Sequence, residues 1–293
     1  MALPPLLVTA SDREYFPLAH SCLLSIRKNA PSVKVAFLDL GCTPPQLDWL
    51  AQHVDFIRQP DWEFDFPGRE TKPQFLRGLL ARPFLRSYFP GFEVYLWIDA
   101  DAWVQRFEAI DLLVRGCTRR SGLAIVPEID RCSMRQYGAM PAYWAQAFQW
   151  YKNAFDDVIA NKLCNFPMLN AGVYAMHREA PHWDIWRQCI AHALPKYCTT
   201  MTDQIALNYA VYQCGLFRQT ELLPMWCNWT CHNGFPKWDD SANCFVERFL
   251  PFHEVGILHL TTRDKSTPRM IETLSGTKRE MQVVFVPETD SVK

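Results

Sequence analysis

The chain has 293 residues, room for one large domain or two modest ones, and its 49% hydrophobic residues can bury a sizeable core. Thirty basic residues against thirty-one acidic ones leave a formal net charge of -1, which excludes the single-sign charge footprint of a nucleic-acid or anionic-membrane protein. No run approaches the ~18 uncharged apolar residues of a transmembrane helix, so no membrane-spanning segment is expected.

The N-terminus has no basic region, and Pro4 and Pro5 interrupt its apolar run, so residues 3–9 read as a strand and not as a secretory signal. Helical spacing follows over 11–30 through Phe16, Cys22, Leu23, Ile26 and Ala30. Residues 33–38 form a second strand, 44–53 a helix opened by Thr43, and 54–57 a third short strand. The segment 59–73 mixes Pro, Gly, Trp and Phe without a period and reads as an ordered connection or a lid. Residues 73–88 are helical, divided or kinked at Pro83, and 92–98 are a buried central strand. Further strands are expected at 122–126, 169–176 and 255–260, and helices near 143–154, 181–193 and 202–212. The alternation predicts an α/β fold, a mainly parallel sheet flanked by helices, which binds ligands beyond the carboxyl ends of its strands. The chain from Ser266 is more polar, with one apolar run at 283–286, and reads as a C-terminal tail over 266–293 behind a domain covering 1–265.

Eleven cysteines, an odd number in a chain without a secretion signal, point to reduced thiols and a cytoplasmic protein. Cys227, Cys231 and His232 have a local spacing open to zinc, with Cys214 or Cys244 as further ligands, but no second CxxC pair accompanies them and ordinary thiols are the expectation. Aromatic residues make up 14% of the chain, which fills a core and also suits sugar rings, whose C–H faces are apolar.

The sharpest feature is Tyr95-Leu96-Trp97-Ile98-Asp99-Ala100-Asp101, an apolar strand running into two acids. Burying a carboxylate costs several kcal/mol unless it is paired or metal-bound, so Asp99 and Asp101 call for a cation or strong donors. A divalent metal there would neutralise charge building on a leaving phosphate. At a second strand, Asn170 offers amide donors and an acceptor, and Gly172 admits a ligand close to the backbone or, equally, a bulge. Asp203 opens a helix, where capping also accounts for an acid. His259 ends a short apolar strand and as neutral imidazole completes a mixed oxygen and nitrogen site, and Lys265 is a point charge suited to a diphosphate.

With these segments in this order the chain resembles glycosyltransferase family 8, the group of glycogenin and the lipopolysaccharide galactosyltransferases, over roughly residues 3 to 265. Ala10-Ser11-Asp12 with Tyr15 looks like the family's nucleoside site, and Leu38 to Thr43 like its second-strand signature. Arg82 falls where the family carries a basic residue ahead of the DxD strand. Asn170-Ala171-Gly172 is similar to its NAG strand, Asp203-Gln204 to its DQ helix start, and His259 to Lys265 to its closing HxxGxxK element, with Thr262 in place of the usual glycine and Thr267 where an aromatic often follows. The resemblance implies a single GT-A-type, Rossmann-like domain and a UDP-hexose donor. It further implies Mn2+ or Mg2+ on Asp99, Asp101 and His259, and transfer to a glycan or other acceptor with retention of configuration. It places Gln204 and Asp203 at the reacting carbon and Ala100, Asn170, Ala171 and Gly172 against the donor. The phosphates fall to Arg82 and Lys265, with Lys72 as a second contact.

Two other enzymes use similar pieces. A haloacid-dehalogenase-type phosphatase has Thr or Val two residues after its second acid, where this chain has Trp103, and a sugar nucleotidyltransferase needs a glycine-rich loop that residues 8–15 do not supply. The non-catalytic alternative is a nucleotide-sugar-binding or lectin-like protein on the same fold.

Overall fold

The structure, a computed structural model, describes residues 5–287, so positions 3 and 4 of the expected first strand and 288–293 of the expected tail lie outside the described residues. Its strands in chain order are β1 (Leu6–Ser11), β2 (Lys34–Asp39), β3 (Phe56–Arg58), β4 (Val94–Ile98), β5 (Ala102–Val104), β6 (Leu123–Pro127), β7 (Leu169–His177) and β8 (Thr220–Leu222). They continue with β9 (Trp229–Thr230), β10 (Lys237–Asp239), β11 (Cys244–Val246), β12 (Ile257–His259), β13 (Arg269–Glu272) and β14 (Lys278–Met281). The helices are α1 (Phe16–Asn29), α2 (Pro44–His53), α3 (Leu76–Ala81), α4 (Leu85–Tyr88), α5 (Phe107–Arg120), α6 (Met140–Ala154), α7 (Asp157–Leu163), α8 (His182–Ala193) and α9 (Thr202–Gln213).

Seven strands form the central sheet in the order β3-β2-β1-β4-β7-β6-β8. All pairings are parallel except those of β7, which runs antiparallel to both β4 and β6. The sheet is therefore mainly parallel, as the alternation predicts. Every residue of β4 and β7 is buried, because helices cover both faces and leave no place for the alternating polar residues of an edge. On one face lie α8, α9 and the Phe64 and Phe66 side chains of the 59–73 connection, and on the other α1 and α5. That connection is thus an ordered segment tied into the core.

Pro83 divides the expected 73–88 helix: α3 and α4 are separated by a 3-10 turn at Arg82–Phe84, since proline cannot donate to the turn before it. Helix α2 begins at Pro44 behind Thr43, which makes a capping box with Gln46. Beyond the acidic pair the chain builds a second, three-stranded sheet, β5-β12-β9, whose β5 and β12 run antiparallel. The polar C-terminal stretch is no simple tail within the described residues: β13 and β14 pair antiparallel, and Ile271 and Val283 are buried against Trp103, Phe245 and Leu258. Among the described residues no helix is long and apolar enough to cross a membrane, and all eleven cysteines are free.

Candidate active site

Strand β4 ends in Asp99, and the chain turns at once into β5, so Asp101 stands one residue from a strand that pairs with β12 and its terminal His259. Asp99 Oδ2, Asp101 Oδ1 and His259 Nε2 converge: Nε2 lies 3.3 Å from Asp101 Oδ1 and 3.8 Å from Asp99 Oδ2. Asp99, Asp101 and His259 can jointly hold a metal ion. The remaining carboxylate oxygens are held from behind. Asp99 Oδ1 accepts from Trp97 Nε1 at 2.7 Å and from Arg82, and Asp101 Oδ2 is paired with Lys265 Nζ at 2.7 Å. Ala100 is buried between the two acids.

A metal fits this arrangement on two observations. Two carboxylates and an imidazole are a hard, mixed oxygen and nitrogen set suited to a divalent first-row ion. The neighbouring strand also leaves room: a Cβ on Gly172 would lie 2.3 Å from His259 Cε1 and 2.6 Å from Asp99 Oδ2, a space that only glycine keeps open. Burial pushes the Asp101 carboxyl up, but His259 and Lys265 pull it down to about 2. Burial works against protonated His259, yet Asp101 and Asp99 raise it overall.

Arg82 was expected toward phosphates; the structure turns it inward. It is buried, its Nη1 donates to Asp203 Oδ2 at 2.5 Å, its other terminal nitrogen donates to Asp99, and its guanidinium stacks 4.7 Å above Trp97. Burial opposes its charge, but Asp99 and Asp203 together raise its pKa. Arg82 is therefore an internal strut between two acids from distant elements. Asp203 sits inside the first turn of α9 and not at its N-cap, which is Met201, so capping does not account for it.

Gln204, the next residue on α9, accepts from the Ala171 N–H at 3.0 Å and faces a cleft. Asn208, one turn on, pins the helix to β7 by exchanging hydrogen bonds with both backbone groups of Leu169 at 2.8 and 2.9 Å. The cleft, about 470 Å3, is lined by Glu128, Tyr143, Trp150, Gln204, His232 and Thr261, among others. Asn170 borders it as well, donating to Glu128 Oε1 at 2.9 Å and accepting from the Gly172 N–H at 3.0 Å. Burial pushes the Glu128 carboxyl up, but hydrogen bonds from His232 and Asn170 and the charge of Arg135 bring it below its ordinary value.

At the end of β1 the Asp12 carboxylate accepts from the N–H groups of Glu14 and Tyr15, fixing the turn into α1, while Ser11 is buried and Ala10 half-buried beside it. Lys265 Nζ lies 6.0 Å from the centre of the Tyr15 ring, so β1, the acidic pair and the 259–265 segment meet at one edge. His232 bonds Thr261 and Glu128 and belongs to the cleft, and the Cys227, Cys231 and His232 set is not among the metal-competent groups of the described residues.

Sequence reasoning missed Glu128 and Asn228, and considered His232 only as a zinc ligand. Glu128 carried a usable signal, an acid directly after an apolar strand, as at Asp99. Asn228 carried none, since it lies in an irregular stretch between two short elements.

A seven-stranded sheet of this order with an acidic pair beyond its central strand is the GT-A fold of the glycosyltransferases. No protein-family model and no curated protein matches the chain by sequence. Among solved structures it is similar to LgtC in an active-site mutant form, at 16% identity over 88% of this chain and 87% of that one, with a TM-score of 0.54. It is also similar to the glycosyltransferase GlyE of Streptococcus pneumoniae (17% identity, 89% and 55% covered, TM-score 0.52) and to mouse xyloside xylosyltransferase 1 (12%, 89% and 98%, 0.52). At such identities what is shared is the fold.

Proposed function

We propose that the chain is a metal-dependent glycosyltransferase that moves a hexose from a nucleoside diphosphate donor, UDP-hexose by resemblance, to a glycan or other acceptor with retention. The observation that carries this reading is the convergence of Asp99 Oδ2, Asp101 Oδ1 and His259 Nε2 at the carboxyl end of the central strand of a GT-A sheet. LgtC is described as a galactosyltransferase bound to donor and acceptor sugar analogues, and one LgtC structure carries a glutamine-to-glutamate change described as an active-site mutation. Both descriptions agree with a sugar site and a working glutamine here.

A divalent ion held by Asp99, Asp101 and His259 would stabilise the charge that gathers on the leaving diphosphate. The chain's own residues do the rest. Lys265, beside Asp101 and Tyr15, supplies a point charge toward the diphosphate, and Ala10, Ser11, Asp12 and Tyr15 offer the nucleoside a shelf at the end of β1. Arg82 acts here by holding Asp99 and Asp203 in register. Gln204 has its oxygen held by the Ala171 N–H and lines the cleft, which leaves its amide N–H groups to donate to the sugar. The cleft takes the acceptor, whose ring stacks on Trp150, since Arg135 already covers the buried Tyr143 ring at 4.3 Å, and whose hydroxyls meet Glu128 and His232.

Calorimetry of UDP with and without Mn2+, followed by a screen of UDP-hexoses for slow hydrolysis, tests the reading. Metal-dependent UDP binding with turnover of one sugar is the expected result. UDP binding that ignores Mn2+, with no turnover of any sugar, would leave a non-catalytic binding protein.

A further inference from the structure

A chain of buried amides links the cleft to the metal-competent site. Asn170 Nδ2 donates to Glu128 Oε1 (2.9 Å), Asn228 Nδ2 donates to Asn170 Oδ1 (3.0 Å), and Asn228 Oδ1 faces His259 Nδ1 (3.1 Å). The direction of this chain can be derived from two groups that cannot reverse their roles. The Gly172 N–H, 3.0 Å from Asn170 Oδ1, only donates, and the Glu128 carboxylate only accepts. A flipped Asn170 would set its NH2 against the Gly172 N–H and its oxygen against the carboxylate, so its orientation is fixed. Asn228 must then present its NH2 to Asn170 and its oxygen to His259. An amide oxygen only accepts, so the imidazole carries a proton on Nδ1. Asp101 Oδ1, 3.3 Å from Nε2, also only accepts, so Nε2 is left bare only where a cation takes up the charge of the acidic pair.

We propose that Asn228, anchored through Asn170 on Glu128, is a positioning residue that holds a proton on His259 Nδ1 and so reserves Nε2 for the space between Asp99 and Asp101. Asn228 is fully buried and touches no ligand space of its own, and its contribution is made through the histidine. That Nε2 is bare and ligates a metal rests on the reading above; the proton on Nδ1 does not.

Nitrogen NMR of 15N-histidine-labelled, metal-free protein reads the ring protons directly, with the His259 signals assigned by their loss in His259→Gln. The wild type is expected to show a protonated Nδ1. In Asn228→Leu the Nδ1 proton should be lost while Nε2 keeps the one that Asp101 accepts, and Mn2+ affinity should fall roughly 10- to 100-fold, as for other outer-shell partners of metal ligands. Asn228→Asp keeps an acceptor at Nδ1 and should keep the proton there. A wild-type Nδ1 without a proton, or Nδ1–H retained in Asn228→Leu, overturns the proposal. If the leucine variant does not fold, loss of the Nδ1 proton in Asn228→Asp does the same. A wild type that shows Nδ1–H but binds no Mn2+ would sink the metal reading and leave this one standing.

Discussion

A methyl group on residue 172 would lie 2.3 Å from His259 Cε1 and 2.6 Å from Asp99 Oδ2, so alanine cannot be added without moving two proposed metal ligands. The neighbours are packed by Asn228 and Arg82 and cannot swing away freely. Gly172→Ala should therefore destabilise the protein by about 1–3 kcal/mol, the usual range for overpacking a core. The stronger effect is expected on Mn2+ affinity, a loss of roughly 10-fold or more, because a ligand displaced by half an ångström no longer converges. Thermal unfolding beside a Mn2+ titration separates the two, and unchanged Mn2+ binding would remove His259 from the ligand set.

His182 gives a pH dependence far from that site. It is fully buried at the start of α8, its Nε2 is 3.0 Å from Thr220 Oγ1, and its Nδ1 has no partner. Burial lowers its pKa from 6.5 to about 4, so between these values the unfolded chain takes up a proton that the folded chain refuses. Stability fully present above pH ~6.5 is lost as pH falls toward ~4, by about 3 kcal/mol in all. Urea unfolding of His182→Gln across this window should show a flatter pH dependence than the wild type. Parallel curves would mean that the ring is not buried neutral.

Between residues and whole elements, the legible parts of the sequence were those with either a period or a boundary. The apolar run of β4 ending in Asp99, the Thr43-Pro44 start of α2 and the break at Pro83 each follow from local chemistry and stand where that chemistry puts them. Helix α5 was not anticipated, although Ala109, Ile110, Leu113 and Cys117 mark a buried stripe. Strands β5, β8 and β9 have three residues or fewer and are too short for any alternation to show. They are strands only because partners distant in sequence pair with them. Gly122 shows how tight such a junction is: a Cβ there would sit 1.8 Å from the Gln219 carbonyl oxygen, between the end of α5 and the entry to β8. Gly122→Ala should push β8 off the edge of the sheet and lower stability by about 1–3 kcal/mol. Turnover per folded molecule should be kept, because the cleft lies at the other end of β6. Hydrogen exchange confined to residues 216–223 would check it, and exchange that spreads to β4 and β7 would contradict this locality.

At the scale of the molecule the site exists only where two sheets meet. Asp99 belongs to the central sheet, while Asp101 and His259 flank the β5–β12 pairing, and the Leu260 N–H donates to the Asp101 carbonyl oxygen at 2.8 Å. That small sheet has little core of its own. Trp103 of β5 is covered by Phe245 and Phe285, and its indole N–H donates to the Val283 carbonyl oxygen at 2.8 Å, so residues 269–285 form part of its packing. A chain ending at Lys265 keeps every proposed ligand and loses this cover. It should unfold at markedly lower denaturant and bind Mn2+ more weakly, because a loosened β5–β12 pair no longer fixes Asp101 against His259. Ile271→Ala is the milder version, with an expected loss of about 2–4 kcal/mol for a buried aliphatic side chain. Because the loss acts through packing, its Mn2+ affinity at low temperature, where the variant is fully folded, should stay near the wild-type value while the truncated chain's does not. Denaturant midpoints and Mn2+ titrations on both variants decide it. A truncated chain with wild-type stability and affinity would show that the hairpin is an appendage and that the small sheet holds the site alone.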